Sequence, residues 1–290
     1  MGQERIIHAA LLGAGTVGSG VYKLVKDLEE EIISKTGARL VVDKILVRDT
    51  TKAREGIPSE LLIDRWDEIL NDPQIEIVIE VMGGIRPALT WLEEALRAGK
   101  QVVTANKDLL AEYGEQLFGA AEAGKCDLHF EAAVAGAIPI IRPLRQSLVA
   151  SELTEVMGIV NGTTNYILTR MTEDGMGYEE ALALATKLGY AESDPTADVE
   201  GYDAGRKVAI MASIAFNSNV TFSQVYTEGI THITAEDIRY AKEFGYVIKL
   251  IGMTRLTEGG VEVKVHPMLL PEQHLSLIHI SEPTRLDVIS

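Results

Sequence analysis

The chain has 290 residues, of which 46% are hydrophobic and 24% charged, with 26 Gly and a formal net charge of −16 at pH 7. This is length enough for two packed lobes and the composition of a folded α/β protein. The acidity argues against nucleic acid and anionic membrane surfaces as partners, since both require a basic face, so any anionic ligand must be gripped locally. The single cysteine, Cys126, excludes an intrachain disulfide framework and suits a reducing compartment, with the cytoplasm the default. No window approaches the roughly 18 apolar residues of a membrane span. The N-terminus carries Glu4 and Arg5 and then enters a strand with no signal-peptide architecture, so no targeting segment is expected.

In chain order, short apolar runs alternate with helical patterns from residue 6 to about 150. The runs are IIHAALLG, LVVDKILV, IEIVIEVM, QVVTA and DLHFEAAV, and TVGSGVYKLVKDLEEEI opens the first helical stretch. This alternation predicts a parallel sheet with helices on both faces. After Ala150 the texture changes to one strand-like piece, ELTEVMGIV, then helical patterns in EEALALATKL and DAGRKVAIMASIAF, then two strand candidates, GYVIKLIGMTRL and GVEVKVHPML. The expected organisation is a dinucleotide-binding α/β domain over 1–150 and a mixed α+β domain over 151–274.

Gly13, Gly15 and Gly18 stand as G-A-G-T-V-G directly after the first predicted strand and at the start of a helix. In that context the first Gly makes the tight turn, the second lets the main chain approach a pyrophosphate, and the third packs helix on strand. This is the pattern of a Rossmann-type domain, with free N–H groups at the helix start facing the anion. The second strand ends ILVRD. An acidic side chain here reads a ribose 2′-hydroxyl, whereas an Arg accommodates a 2′-phosphate. Arg48 precedes Asp49, which favours NADP(H), with NAD(H) the alternative because either side chain could point inward.

Lys107, in VVTANKDLLA, follows a predicted strand at the carboxyl end of the sheet, where open α/β proteins bind ligands. Asp203 and Lys207 lie four apart on a helix whose other positions are mostly small or apolar. Glu192, Asp194 and Asp198 stand just upstream in a Pro-containing loop. Oxidising an alcohol on a nicotinamide site needs a hydride acceptor from the cofactor and a protein group that exchanges the hydroxyl proton. A Lys can do the second task, and nearby carboxylates can hold a substrate ammonium, an arrangement that suits an amino-acid alcohol. Among the six His there is no spacing of a transition-metal site, and Cys126 reads as a small hydrophobe. VNGTTNYIL reads as a helix start capped by Asn161 or Thr163.

The pattern A-x3-G-Y-A-x2-D-P-x2-D-V-x-G-x-D-x3-K from Ala185 to Lys207 resembles the signature of the homoserine dehydrogenases. GAGTVG, EVMGG, VVTANKDLLA, EAAVAGAIPII and VNGTTNYIL extend the resemblance from residue 6 to about 274. It implies a Rossmann-type NAD(P) domain followed by a catalytic and dimerisation domain, and interconversion of L-homoserine and L-aspartate 4-semialdehyde in threonine and methionine biosynthesis. By motif position it implies Lys207 as proton donor, Lys107 beside the nicotinamide, and Glu192, Asp203, Tyr190 and Thr163 at the substrate. Gly13, Gly15, Thr16, Val17, Gly18, Arg48, Thr104, Lys107 and Gly189 would meet the dinucleotide. A monovalent cation, usually sodium, would rest on Glu131, Val134, Gly136 and Ile138, and the chain would pair as a homodimer. A non-catalytic NADP-sensing or scaffold protein, and another amino-acid-alcohol dehydrogenase on the same fold, are the rival readings.

Beyond His274 the resemblance is expected to end. LSLIHISEPTR, residues 275–285, reads as the translation of a transposase-type sequencing adapter, so residues 275–290 are expected to be a non-native tail on a C-terminally truncated chain, without a regulatory ACT domain.

Overall fold

The computed structural model describes residues 5–136 and 138–274. The expected adapter-like tail at 275–290 lies outside the described residues. One compact unit runs to Ala133 and a second begins at Val134.

The first unit follows strand β1 (Arg5–Leu12) with helices α1 (Thr16–Asp27) and α2 (Glu29–Thr36), then β2 (Ala38–Leu46), β3 (Leu62–Ile63) and α3 (Asp67–Leu70). It continues through β4 (Ile75–Glu80), α4 (Ala88–Arg97), β5 (Gln101–Thr104), α5 (Lys107–Gly124) and β6 (Leu128–His129). The six strands are parallel in the order β3-β2-β1-β4-β5-β6. Ala9 to Leu12 on β1 are four consecutive residues with no exposed surface. A strand loses the in-out alternation in this way when helices cover both faces of a parallel sheet. The strand order reverses between β1 and β4, and such a switch point opens a crevice at the carboxyl ends of the strands.

Two expectations need adjustment. DLHFEAAV yields only two residues of edge strand, Leu128 and His129, before a 3-10 turn over Glu131–Ala133. The second unit begins at Val134, earlier than the change of texture near 150. The reason is packing: Ile141 and Leu144 are buried, and the π-type turn Pro143–Ser147 rests on a helix of the second unit.

That second unit holds β7 (Glu155–Gly158), α6 (Gly162–Asp174), α7 (Tyr178–Lys187), α8 (Thr196–Val199) and α9 (Tyr202–Ala215). After them come β8 (Tyr226–Thr227), α10 (Ala235–Glu243), β9 (Tyr246–Thr257) and β10 (Gly260–Pro271). The sheet order is β7-β9-β10-β8; β9 pairs antiparallel with both neighbours, and β8 lies parallel to β10. α9 buries Ala204, Val208, Ala209, Ile210, Met211 and Ala212, and Gly252 on β9 leaves room for Val208, whose Cγ2 would stand 2.3 Å from a Cβ at that position.

Candidate active site

In the first unit the glycine loop has the geometry its spacing predicts. Gly13 has φ +101°, and a Cβ there would lie 3.0 Å from the Met82 Cα. A Cβ on Gly18 would meet the Gly13 carbonyl oxygen at 2.1 Å, so close packing of α1 on the loop requires glycine. At Gly15, the N-cap of α1, nothing stands within 4 Å of an added Cβ, no side chain caps the helix, and its first turn carries no acidic residue. Thr16 and Val17, the next two residues, are exposed. Main-chain N–H groups at an uncapped helix start beside open space make a site for an anion.

At the end of β2, Asp49 turns back on its own loop. Its Oδ1 accepts from the Thr51 hydroxyl at 2.6 Å and the Thr51 N–H at 2.9 Å, and these bonds hold its carboxyl below the usual range. Arg48 is exposed and forms no hydrogen bond or ion pair among the described residues. The second charge of the pair is thus occupied and the first available.

Thr104 closes β5 and is 1% exposed, with its hydroxyl donated to the Glu80 carboxylate at 2.6 Å. Its side chain therefore belongs to the scaffold of the loop. Asn106 caps α5 by accepting from the Leu109 N–H at 3.2 Å, which makes Lys107 the first helical residue. A cation at the positive end of a helix opposes the helix dipole, so the dipole does not favour a lysine here.

In the second unit the signature residues gather around the start of α9. Asp203 and Lys207 form an ion pair at 2.6 Å with side chains only 11% and 19% exposed, and Lys207 Nζ also donates to the Val160 carbonyl at 2.9 Å. Asn161 holds two carboxylates with one amide: Nδ2 donates to Asp198 Oδ1 at 2.7 Å and to Asp203 Oδ2 at 2.9 Å. Its Oδ1 accepts from the Thr164 N–H and hydroxyl, both at 2.8 Å, capping α6. An ammonium has three donors, and two have these partners.

The remaining predicted residues divide. The Thr163 hydroxyl donates to the Tyr190 carbonyl at 2.8 Å, and the Tyr190 ring stacks on Tyr166 at 4.5 Å, which ties α6 to the loop after Gly189, itself at φ +80°. Asp194 accepts from the Thr196 hydroxyl and N–H in the turn that leads into α8, bonds that lower its pKa. Glu192 is exposed and outside this network, with no hydrogen bond or ion pair among the described residues. Val134 is buried, Gly136 and Ile138 are exposed, and Ile138 N–H donates to the Ala135 carbonyl at 2.8 Å in a turn where Ala135 has φ +50°. Among the described residues no three His, Cys, Asp or Glu cluster as a metal site. Reading the sequence missed Glu80 and the double grip of Asn161. The signal for Glu80 was a carboxylate ending an apolar strand immediately before V-M-G-G.

Comparison with known proteins bears on these sites. A family model described as homoserine dehydrogenase matches residues 139–285, and one described as its NAD binding domain matches residues 13–131. The first match runs past His274, where the resemblance was expected to stop. The chain is 47% identical over 277 residues to the homoserine dehydrogenase of Bacillus subtilis, covering 95% of this chain and 64% of that one. The structure of a homoserine dehydrogenase from Thiobacillus denitrificans superposes with a TM-score of 0.88 at 45% identity, over 93% of this chain and 63% of that one. One from S. aureus, determined at pH 6.0, gives 0.83 at 43% identity, over 93% and 68%. The chain thus spans a little under two thirds of the B. subtilis and T. denitrificans proteins. The matches cover both the glycine loop and the Asp203–Lys207 network, and the chain belongs to the homoserine dehydrogenase family.

Proposed function

We propose that the protein interconverts L-homoserine and L-aspartate 4-semialdehyde with a nicotinamide dinucleotide, NADP(H) in preference to NAD(H). The observation that carries this reading is the buried Asp203–Lys207 pair, anchored at Val160 and Asn161. Exposed i,i+4 pairs such as Glu93–Arg97 are common on helix surfaces and contribute little. A pair withdrawn from water and held by two further groups has a chemical task as its best explanation.

The roles follow from the groups available. The dinucleotide would lie with its pyrophosphate on the main chain at Gly13, Gly15, Thr16, Val17 and Gly18. Arg48, with no partner among the described residues, would take the 2′-phosphate while Asp49 stays engaged with Thr51. The dinucleotide supplies hydride chemistry when bound. Lys207, held in place by Asp203 and Val160, has one N–H left for the substrate oxygen. It would donate a proton to the aldehyde oxygen on reduction and receive it from the alcohol on oxidation. The Glu192 carboxylate is available for the substrate ammonium, Tyr190, Gly189 and Thr163 shape the loop that carries it, and Lys107 adds positive charge at the start of α5. A monovalent cation would rest on the carbonyls of Val134, Gly136 and Ile138 with Glu131 as its carboxylate, the oxygen set that a hard cation prefers. Homodimer formation and a cytoplasmic setting belong to the same reading, the latter in keeping with the free thiol of Cys126, which burial pushes up in pKa.

The test is to mix the purified chain with L-homoserine and NADP and follow nicotinamide absorbance. Homoserine-dependent reduction, lost in Lys207→Ala, is expected. Dinucleotide binding without turnover would favour the sensing or scaffold reading, and turnover only with another amino-acid alcohol would favour a different dehydrogenase.

A further inference from the structure

Glu80 is the last residue of β4 and has no exposed surface. It lies at the switch point of the sheet, paired in register with Leu12 on one side and Thr104 on the other. Its carboxyl oxygens meet three groups of the surrounding loops. Oε1 accepts from the Met82 and Gly83 N–H groups, both at 2.9 Å, and Oε2 from the Thr104 hydroxyl at 2.6 Å. No cation stands within ion-pair distance of it among the described residues. A buried carboxylate without a counter-ion is expensive to keep, and an apolar residue would suit this strand better if burial were its only role.

What it joins explains its presence. Met82, whose N–H it holds, is the residue against which Gly13 packs, within 3.0–3.2 Å of a Cβ placed there. Thr104 in turn accepts from the Asn106 N–H at 3.0 Å, and Asn106 Nδ2 donates to the Gly84 carbonyl at 2.7 Å. Asn106 also caps α5, so Lys107 begins where this chain of bonds ends. Gly83 and Gly84 have φ of +71° and +74° and are exposed, with nothing within 4 Å of an added Cβ, and these bonds tie their turn to the sheet. One carboxylate thus sets three segments against one another: the glycine loop, the 81–84 turn and the start of α5.

We propose that Glu80, acting through Thr104 and Asn106, is a positioning residue that fixes the 81–84 turn and the Lys107 end of α5 for the dinucleotide. This rests on the functional reading above. The experiment compares the 290-residue chain with its Glu80→Ala, Glu80→Gln and Thr104→Val variants. It measures the Kd for NADPH by fluorescence on protein shown folded by circular dichroism, and the deuterium exchange of the 82–83 and 109 amides. Folded Glu80→Ala should bind NADPH at least about tenfold more weakly, as a displaced positioning group would cause. Glu80→Gln keeps an oxygen for the two amides but offers Thr104 a donor where an acceptor is needed, so it should recover part of the loss. Thr104→Val keeps both amide bonds and should weaken binding by a smaller factor, which provides the test if Glu80→Ala fails to fold. Wild-type affinity in folded Glu80→Ala, or in Thr104→Val with unchanged exchange at 109, would overturn the proposal. If the wild-type chain binds no NADPH, the functional reading falls on that result, and unchanged amide protection in the variants would overturn the positioning role separately.

Discussion

The two units present the groups proposed to meet ligands in different ways. Around Gly13, Gly15 and Gly18 the first unit offers main-chain N–H groups, and the side chains matter by being absent. Around Asp203 and Lys207 the second unit offers side-chain charges withdrawn from water, each held by a partner distant in the chain: Asn161 lies 42 residues from Asp203 and Val160 lies 47 from Lys207. A main-chain site tolerates much sequence change provided that no Cβ intrudes. A site of buried charges depends on every partner, because removing one leaves another unsatisfied in a low-dielectric interior.

The largest effect that would sharpen this contrast is expected from Lys207→Ala. If Lys207 carries the proton as proposed, turnover should fall about a thousandfold, while NADPH affinity, assigned by the same proposal to the first unit, should change by less than about twofold. Steady-state rates and a fluorescence titration check this, and a joint loss of both would break the division of labour.

In the first unit the matching experiment is a pair of glycine substitutions. Gly18→Ala places a Cβ 2.1 Å from the Gly13 oxygen, a clash with main chain that should destabilise the unit by about 3 kcal/mol. Gly15→Ala meets nothing within 4 Å and should leave stability within about 0.5 kcal/mol while weakening dinucleotide binding. Thermal melting and titration separate the two, and equal melting temperatures would show that the loop is not packed as described.

Next in size is a comparison inside the second unit, between Lys207, which is ion-paired with a carboxylate, and Lys249, which has no ion pair among the described residues. Lys249 is 8% exposed, with Nζ on Asn165 Oδ1 at 2.8 Å and Thr169 Oγ1 at 2.7 Å. Burial lowers its pKa from 10.5 to about 8. The unfolded chain therefore holds this proton more tightly than the folded one, and stability should rise with pH between about 8 and 10.5 as the folded lysine becomes neutral. The gain by the top of that window should be about 3 kcal/mol. Chemical denaturation at pH 7, 8, 9 and 10 should show this slope in the wild type and not in Lys249→Met. The same slope in both would assign it to other groups.

The smallest expected effect concerns the 2′-phosphate. Arg48→Ala should weaken NADPH by about 1 to 2 kcal/mol and leave NADH nearly unchanged. Equal losses would mean that Arg48 does not discriminate between the cofactors.

The parallel sheet, the glycine loop and the two long strands β9 and β10 could be read from sequence because each is dictated by a local rule: apolar period, glycine spacing, or a strand-like apolar run. Asp203 and Lys207 could be placed on one helix face by their spacing of four, and Asn161 or Thr163 at a helix start. Spacing of four does not distinguish a buried pair from an exposed one, since Glu93 and Arg97 share it on a solvated face. That distinction arose only when α9 packed into its unit and residues 160 and 161 were carried to its first turns. Thr104 shows the reverse case: its motif placed it at the ligand, while the fold turned its hydroxyl to Glu80. Burial and long-range partners depend on the whole packing arrangement, and the desolvation that makes a charge costly to bury has no counterpart in residue order. The sequence by itself therefore determined where the helices, strands and glycine turns of this protein lie and which charges share a helix. The tertiary structure alone decided which of those charges leave water, and with which partners.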